Sequence, residues 1–182
     1  MNKIICMIFV CCLIYTQAFG VTLLGSEVEA SGCSSGTAEI SQTSNDANSG
    51  NINTRVIGQS FTLNTAISLY SITVSFLSGA ESTHTLRIGT SPDLSKTYTE
   101  EISFTPDTGV TEILSASNPN LSTGTWYFGV LGDGVTSIFL RRNNSDVYTG
   151  GNYIYGAAGG SWNMSNLEPD IDLYFTINKC AE

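Results

Sequence analysis

Four aromatic residues, Tyr148, Tyr153, Tyr155 and Trp162, are the group in this sequence best placed to do chemistry. They stand among the glycine pairs Gly150-Gly151 and Gly159-Gly160 and the amides Asn143, Asn144, Asn152 and Asn163, just after Arg141 and Arg142. The chemistry these residue types suit is recognition rather than bond-breaking. A sugar presents apolar C–H faces and a rim of hydroxyls, and an aromatic ring beside amide, carboxylate and guanidinium groups matches both. Tyr148, Tyr153, Tyr155, Trp162, Asn152 and Arg141 are therefore the candidate ligand residues. The competing reading is ordinary strand packing, with alternating tyrosines on a strand and glycine pairs in the turns.

Catalytic groupings are scarce. His84 is the single histidine, and its neighbours Thr83 and Thr85 supply no carboxylate to orient it as a base. Glu100 and Glu101 are adjacent on an expected strand and so face opposite ways. Asp170 and Asp172 are two apart, are expected to share an outer strand face, and form the candidate calcium pair, since calcium takes carboxylate and carbonyl oxygens. The run Gly129 to Gly134, G-V-L-G-D-G, lies in a hairpin-like context rather than ahead of a helix, so it is no phosphate loop. No enzyme and no cofactor are expected, apart from that candidate structural calcium.

The elements that must position these residues are strands. Tyr70, Ile72, Val74 and Phe76 alternate with Ser71, Thr73 and Ser75, the period of a half-buried strand. Further runs are expected at 58–63, around Leu86 and Ile88, at 98–105 with Ile102 and Phe104 inward, and at 110–114. Trp126, Phe128 and Val130 share a face, and Gly132-Asp133-Gly134 is a hairpin signal that would return the chain through Ile138 and Leu140. Short strands are expected at 152–156 and 161–164. Ile171, Leu173, Phe175 and Ile177 line the inner face of a last, central strand. About ten short strands at this spacing mean a sandwich or barrel, and the expected fold is an all-β, two-sheet antiparallel β-sandwich of jelly-roll type.

Residues 1–20 read as a cleavable signal peptide: Lys3, an apolar run over 4–15 too short to span a bilayer, and Ala18-Phe19-Gly20 before the cut. No later stretch is long enough to cross a membrane as a helix. Cleavage removes Cys6, Cys11 and Cys12 and leaves Cys33 and Cys180, one near each end. In an exported chain these most simply form a disulfide that staples the termini. Residues 21–53 read as a polar leader tethered at Cys33, with only Ala38 and Ile40 as a weak strand, and 54–182 as the sandwich. The formal charge is −9, and Arg141-Arg142 is the only basic pair, so a phosphate backbone finds no basic stripe and nucleic acid is excluded as a partner.

Trp126-Tyr127-Phe128, Tyr148-x-Gly150-Gly151-x-Tyr153, Ser161-Trp162 and Asp172-Leu173-x-Phe175 together resemble the jelly-roll modules of secreted and surface-anchored bacterial proteins. Gly58-Gln59-Ser60-Phe61-Thr62 resembles their opening strand. The resemblance implies a carbohydrate-binding-like domain, secreted or at the cell surface, that recognises a glycan or cell-surface polysaccharide in adhesion or matrix association. The alternative expectation is a structural subunit that self-associates into a matrix or filament, adding the apolar strand at 21–28 to a neighbour's edge.

Overall fold

The computed structural model describes residues 32–48, 52, 54–78, 82–135, 138–157 and 161–181. The expected signal segment, residues 21–30 of the leader and Gly159-Gly160 lie outside them. Among the described residues there are fourteen strands and no helix. They are β1 (Gly36–Gln42), β2 (Ala47–Asn48), β3 (Val56–Leu63), β4 (Ile67–Phe76), β5 (His84–Gly89), β6 (Glu100–Phe104) and β7 (Gly109–Leu114), followed by β8 (Asn120–Leu121), β9 (Gly124–Leu131), β10 (Arg141–Asn143), β11 (Tyr153–Tyr155), β12 (Asn166–Glu168), β13 (Asp172–Leu173) and β14 (Phe175–Cys180).

Two antiparallel sheets make a sandwich. One runs β1-β14-β4-β7, with β8 also paired to β4; the other runs β12-β11-β3-β9-β5-β6. A small third sheet, β13-β10-β2, adjoins them, and Leu140 just before β10 bridges to Phe76 at the end of β4. The longer strands pair as one folded ribbon: β1 with β14, β3 with β9, β4 with β7, and β5 with β6. Alternation then sorts the side chains. Ile57, Phe61 and Leu63 of β3 and Trp126, Phe128 and Val130 of β9 turn inward to meet Ile72, Val74, Phe175 and Ile177. Phe128 lies 6.4 Å from Phe61 and 5.6 Å from Phe175, so these rings join the two sheets across the core. The expected disulfide is present between Cys33 and Cys180, 147 residues apart. As expected, β14 is central, held between β1 and β4.

Four expectations are corrected. The weak strand expected at Ala38 and Ile40 is present but longer than expected: β1 is a seven-residue strand laid along β14, so the sandwich begins ahead of residue 54. Tyr70 does not share the inner face with Ile72. The register of β4 against β14 shifts there, Lys179 facing Leu69 and Asn178 facing Ser71, and the bulge turns Leu69 into the core in place of Tyr70. The turn at 132–134 does not close a hairpin. The neighbours of β9 are β3 and β5, and the chain instead crosses to the third sheet, where Ile138 O accepts from Ile52 N at 3.2 Å. Finally, the last strand is broken at Tyr174, and Asp172 on its first piece is fully buried rather than exposed.

Candidate functional site

The outer face of the six-stranded sheet has two halves of opposite character. Val56 of β3 and Ile154 of β11 point outward and are roofed by Leu94, Trp162 and Met164 in a second apolar cluster. Gly58 and Gly129 keep this roof close: a Cβ at either would press on Met164 Sδ, at 2.9 and 3.0 Å. Arg87 of β5 lies between two rings, 4.3 Å from the Tyr98 centroid and 4.4 Å from that of Trp162, while donating to Leu94 O at 3.0 Å and pairing with Glu101. Trp162 is therefore one layer of a closed stack.

The other half is open. Ser60 faces Tyr127 and Thr62 faces Thr125 across the β3–β9 ladder, so the same alternation that buries Phe61 and Phe128 turns Thr62, Thr125 and Tyr127 to the outer surface, beside Ser60, which the Asn152 backbone covers. These four residues floor a groove of about 490 Å³. Asp146, Thr149, Gly150, Gly151 and Asn152 form one wall, and Leu167, Pro169 and Asp170 complete the rim.

The wall at 146–152 is fixed by residues that reach it from the core. Asn152 N donates to Ser60 Oγ at 2.8 Å, and Ser60 N donates to Asn152 O at 2.9 Å. Gly151 passes so close to β3 that a Cβ there would run into the Ser60 carbonyl, which is why this position must be glycine. The Tyr148 ring stands edge-on to Phe175 at 5.3 Å, and its hydroxyl accepts from Thr62 N at 3.1 Å. Burial pushes the Tyr148 phenol up, against the bond from Thr62. Asp172 anchors the start of the loop. Its Oδ2 accepts from Val147 N at 2.9 Å and Tyr148 N at 2.7 Å, and its Oδ1 accepts from Gln59 Nε2 at 2.8 Å. Burial raises the Asp172 carboxyl above the ordinary carboxylate range, and the bonds from Tyr148, Gln59 and Val147 pull the other way.

The candidate ligand residues thus fall in separate places. Asn152 and Asp170 line the groove, and Tyr148 supports its wall from inside. Trp162 is part of the outer roof, packed against Val56 and Ile154. Tyr153 and Tyr155 project to the opposite face of their strand, into the cleft between sheets, where burial drives the Tyr153 phenol up to about 12. Arg141 turns away from them, with Nη1 3.4 Å from Asn45 Oδ1, and Arg142 takes the position beside Tyr153. Asp170 and Asp172 do not share a face: Asp170 is exposed on the rim, whereas both oxygens of Asp172 accept hydrogen bonds from the protein. Among the described residues, no cluster of three or more histidine, cysteine or acidic side chains has metal-ligating geometry. His84 is buried edge-on to Phe104, with neither ring nitrogen hydrogen-bonded among the described residues.

The groove residues that the sequence reading missed are Ser60, Thr62, Thr125 and Tyr127. Their signal was present in the outward halves of two strands whose inward halves were recognised. Comparison of the chain with protein-family models, with curated proteins and with solved structures finds no match.

Proposed function

We propose that this chain is an exported, non-catalytic jelly-roll module that binds glycan in the groove floored by Ser60, Thr62, Thr125 and Tyr127. The jelly-roll reading is supported by the strand order. Numbering the eight longer strands in sequence gives 1-8-3-6 in one sheet and 2-7-4-5 in the other, an antiparallel ribbon rolled over on itself. Export is supported by the apolar segment at 4–15 and by the Cys33–Cys180 bond, which belongs to an oxidising compartment.

The observation that carries the binding reading is the floor itself. A half-buried tyrosine ring beside the hydroxyls of Thr62 and Thr125, within reach of the Asn152 amide and the Asp146 and Asp170 carboxylates, offers one apolar surface and a rim of donors and acceptors. A pyranose ring needs that combination. The groove is open enough for a chain of sugars to lie along it. A glycan array probed with the mature protein and with the double variant Asn152→Ala, Asp170→Asn tests it. Binding that falls at least about tenfold in the variant, at unchanged melting temperature, supports the site. Equal binding by both proteins, or none by the wild type, removes it.

A second reading, a matrix or filament subunit, is favoured by one observation. β7 is an edge strand whose Val110 and Leu114 are 56% and 54% exposed. An incoming strand, such as that expected at 21–28, would pair with this edge and cover both side chains. Sedimentation of the mature chain with and without residues 21–30 separates the readings. Assembly lost on deletion supports strand addition, and a monomer at high concentration ends it.

A further inference from the structure

At the mouth of the sandwich, where β11 and β12 end the six-stranded sheet and β10 crosses beside them, Arg55, Ile57, Arg142, Tyr153, Tyr155 and Glu168 line a separate pocket of about 230 Å³. Two cations and one anion meet there, a local excess of positive charge in a chain whose formal charge is −9. Arg142 lies 5.5 Å from the Tyr153 ring and only 3.9 Å from Glu168. Its Nε is buried and has no hydrogen-bond partner among the described residues. Arg55 is exposed and forms no ion pair among them. The Tyr153 and Tyr155 rings stand 5.8 Å apart, tilted by 41°, and form an apolar wall with Ile57 behind them.

We infer that this pocket binds a sugar acid, one pyranose ring carrying a carboxylate, at a site distinct from the outer groove. The guanidinium groups of Arg55 and Arg142 take the carboxylate, because a planar fork of donors matches two planar oxygens. The Tyr155 ring, the more exposed of the two, takes the C–H face of the sugar, and Tyr153 backs it from the core side. Glu168 accepts from ring hydroxyls, and its charge disfavours a dianion such as phosphate in the same space. The volume lies below the range of about 300–1,000 Å³ of pockets for larger ligands, so it holds one ring rather than a chain. The groove, by contrast, is lined by two carboxylates and no cation, so the two sites select opposite chemistries.

The test is a nuclear magnetic resonance titration of the mature, disulfide-bonded protein with sodium glucuronate, with glucose and with sodium sulfate, all at one ionic strength. Saturable shifts of the Arg55, Arg142, Tyr153 and Tyr155 amides with glucuronate, absent with glucose at equal concentration and weaker with sulfate, are expected. Arg55→Gln, a change at an exposed side chain that leaves the fold intact, should weaken glucuronate binding about tenfold. Arg142→Lys, which keeps the charge and loses the fork, should weaken it as well. The groove variant Asn152→Ala, Asp170→Asn should leave it unchanged, so failure of one site does not decide the other. Equal shifts with glucose show that the charge is not read, and equal shifts with sulfate show that the sugar is not; either overturns the inference. So does the absence of saturable shifts with glucuronate, or an affinity untouched by Arg55→Gln.

Discussion

Asp172 shows how a single polar residue in this core shapes the surface above it. Its carboxylate is buried and orders the loop at 146–152 by gathering the Val147 and Tyr148 amides, while Gln59 holds it from β3 and in turn accepts from Leu173 N at 3.0 Å. Asp172→Ala strands three donors in a buried site, and we expect a loss of about 3 kcal/mol in denaturant unfolding, together with faster amide exchange at 147–152. Tyr153 sets a second residue-scale expectation. Its phenol titrates near 10 when unfolded and at about 12 when folded, so the native state holds the proton more tightly. The stability it contributes is fully present below pH 10 and is lost as pH rises from 10 towards 12. Unfolding measured at pH 9, 10 and 11 should show that decline in the wild type and a shallower one in Tyr153→Phe. Neither role was legible in the sequence. Asp172 reads as an outward residue of a period-two strand, but the loop at 146–152 and Gln59 of β3 close over it, so it is buried. Tyr153 and Trp162 read as one aromatic cluster, but they belong to opposite faces of the six-stranded sheet, and residues far apart in sequence decide which face is covered.

The strands themselves were far more legible, because burial on one face writes period two directly into the chain. β3, β4, β5, β9 and β14 fall where alternating apolar residues place them. The misreadings arose where a strand's reason for being is its partner. β1 has few apolar side chains and forms because β14 offers an edge; the segment at 138–140 looks like a hairpin return but bridges to β4. The expected strand at 161–164 is instead a cover, joined to the loop after β5 by a single bridge between Asp93 and Asn163 and by Leu94 N donating to Trp162 O at 3.1 Å. Its role is to close half of the outer face and so to define where the groove begins. Trp162→Ala should therefore cost about 3–5 kcal/mol and free Arg87 from its ring stack. We expect it to lower the melting temperature, whereas Thr125→Ala, on the open half, should leave the melting temperature nearly unchanged and reduce glycan binding.

For the whole molecule, closure follows from the ribbon that pairs β1 with β14 and β3 with β9, with the Cys33–Cys180 bond tying its two ends. Cross-linking a loop that long removes about 4–5 kcal/mol of unfolded-state entropy in the chain-entropy model, so the sandwich can leave half of one sheet face polar and open. That open half is where we propose that a neutral glycan lies; of the aromatic cluster first suggested by spacing, Tyr148 supports its wall, Tyr153 and Tyr155 line the separate arginine pocket, and Trp162 is packed in the outer roof. The most direct test is to map amide chemical shifts of the mature protein on adding the neutral glycan that binds most strongly on the array. We predict saturable shifts confined to Ser60, Thr62, Thr125, Tyr127 and 150–152. Shifts centred on the β7 edge, on the tyrosine–arginine pocket or nowhere at all would contradict a glycan groove on the outer face.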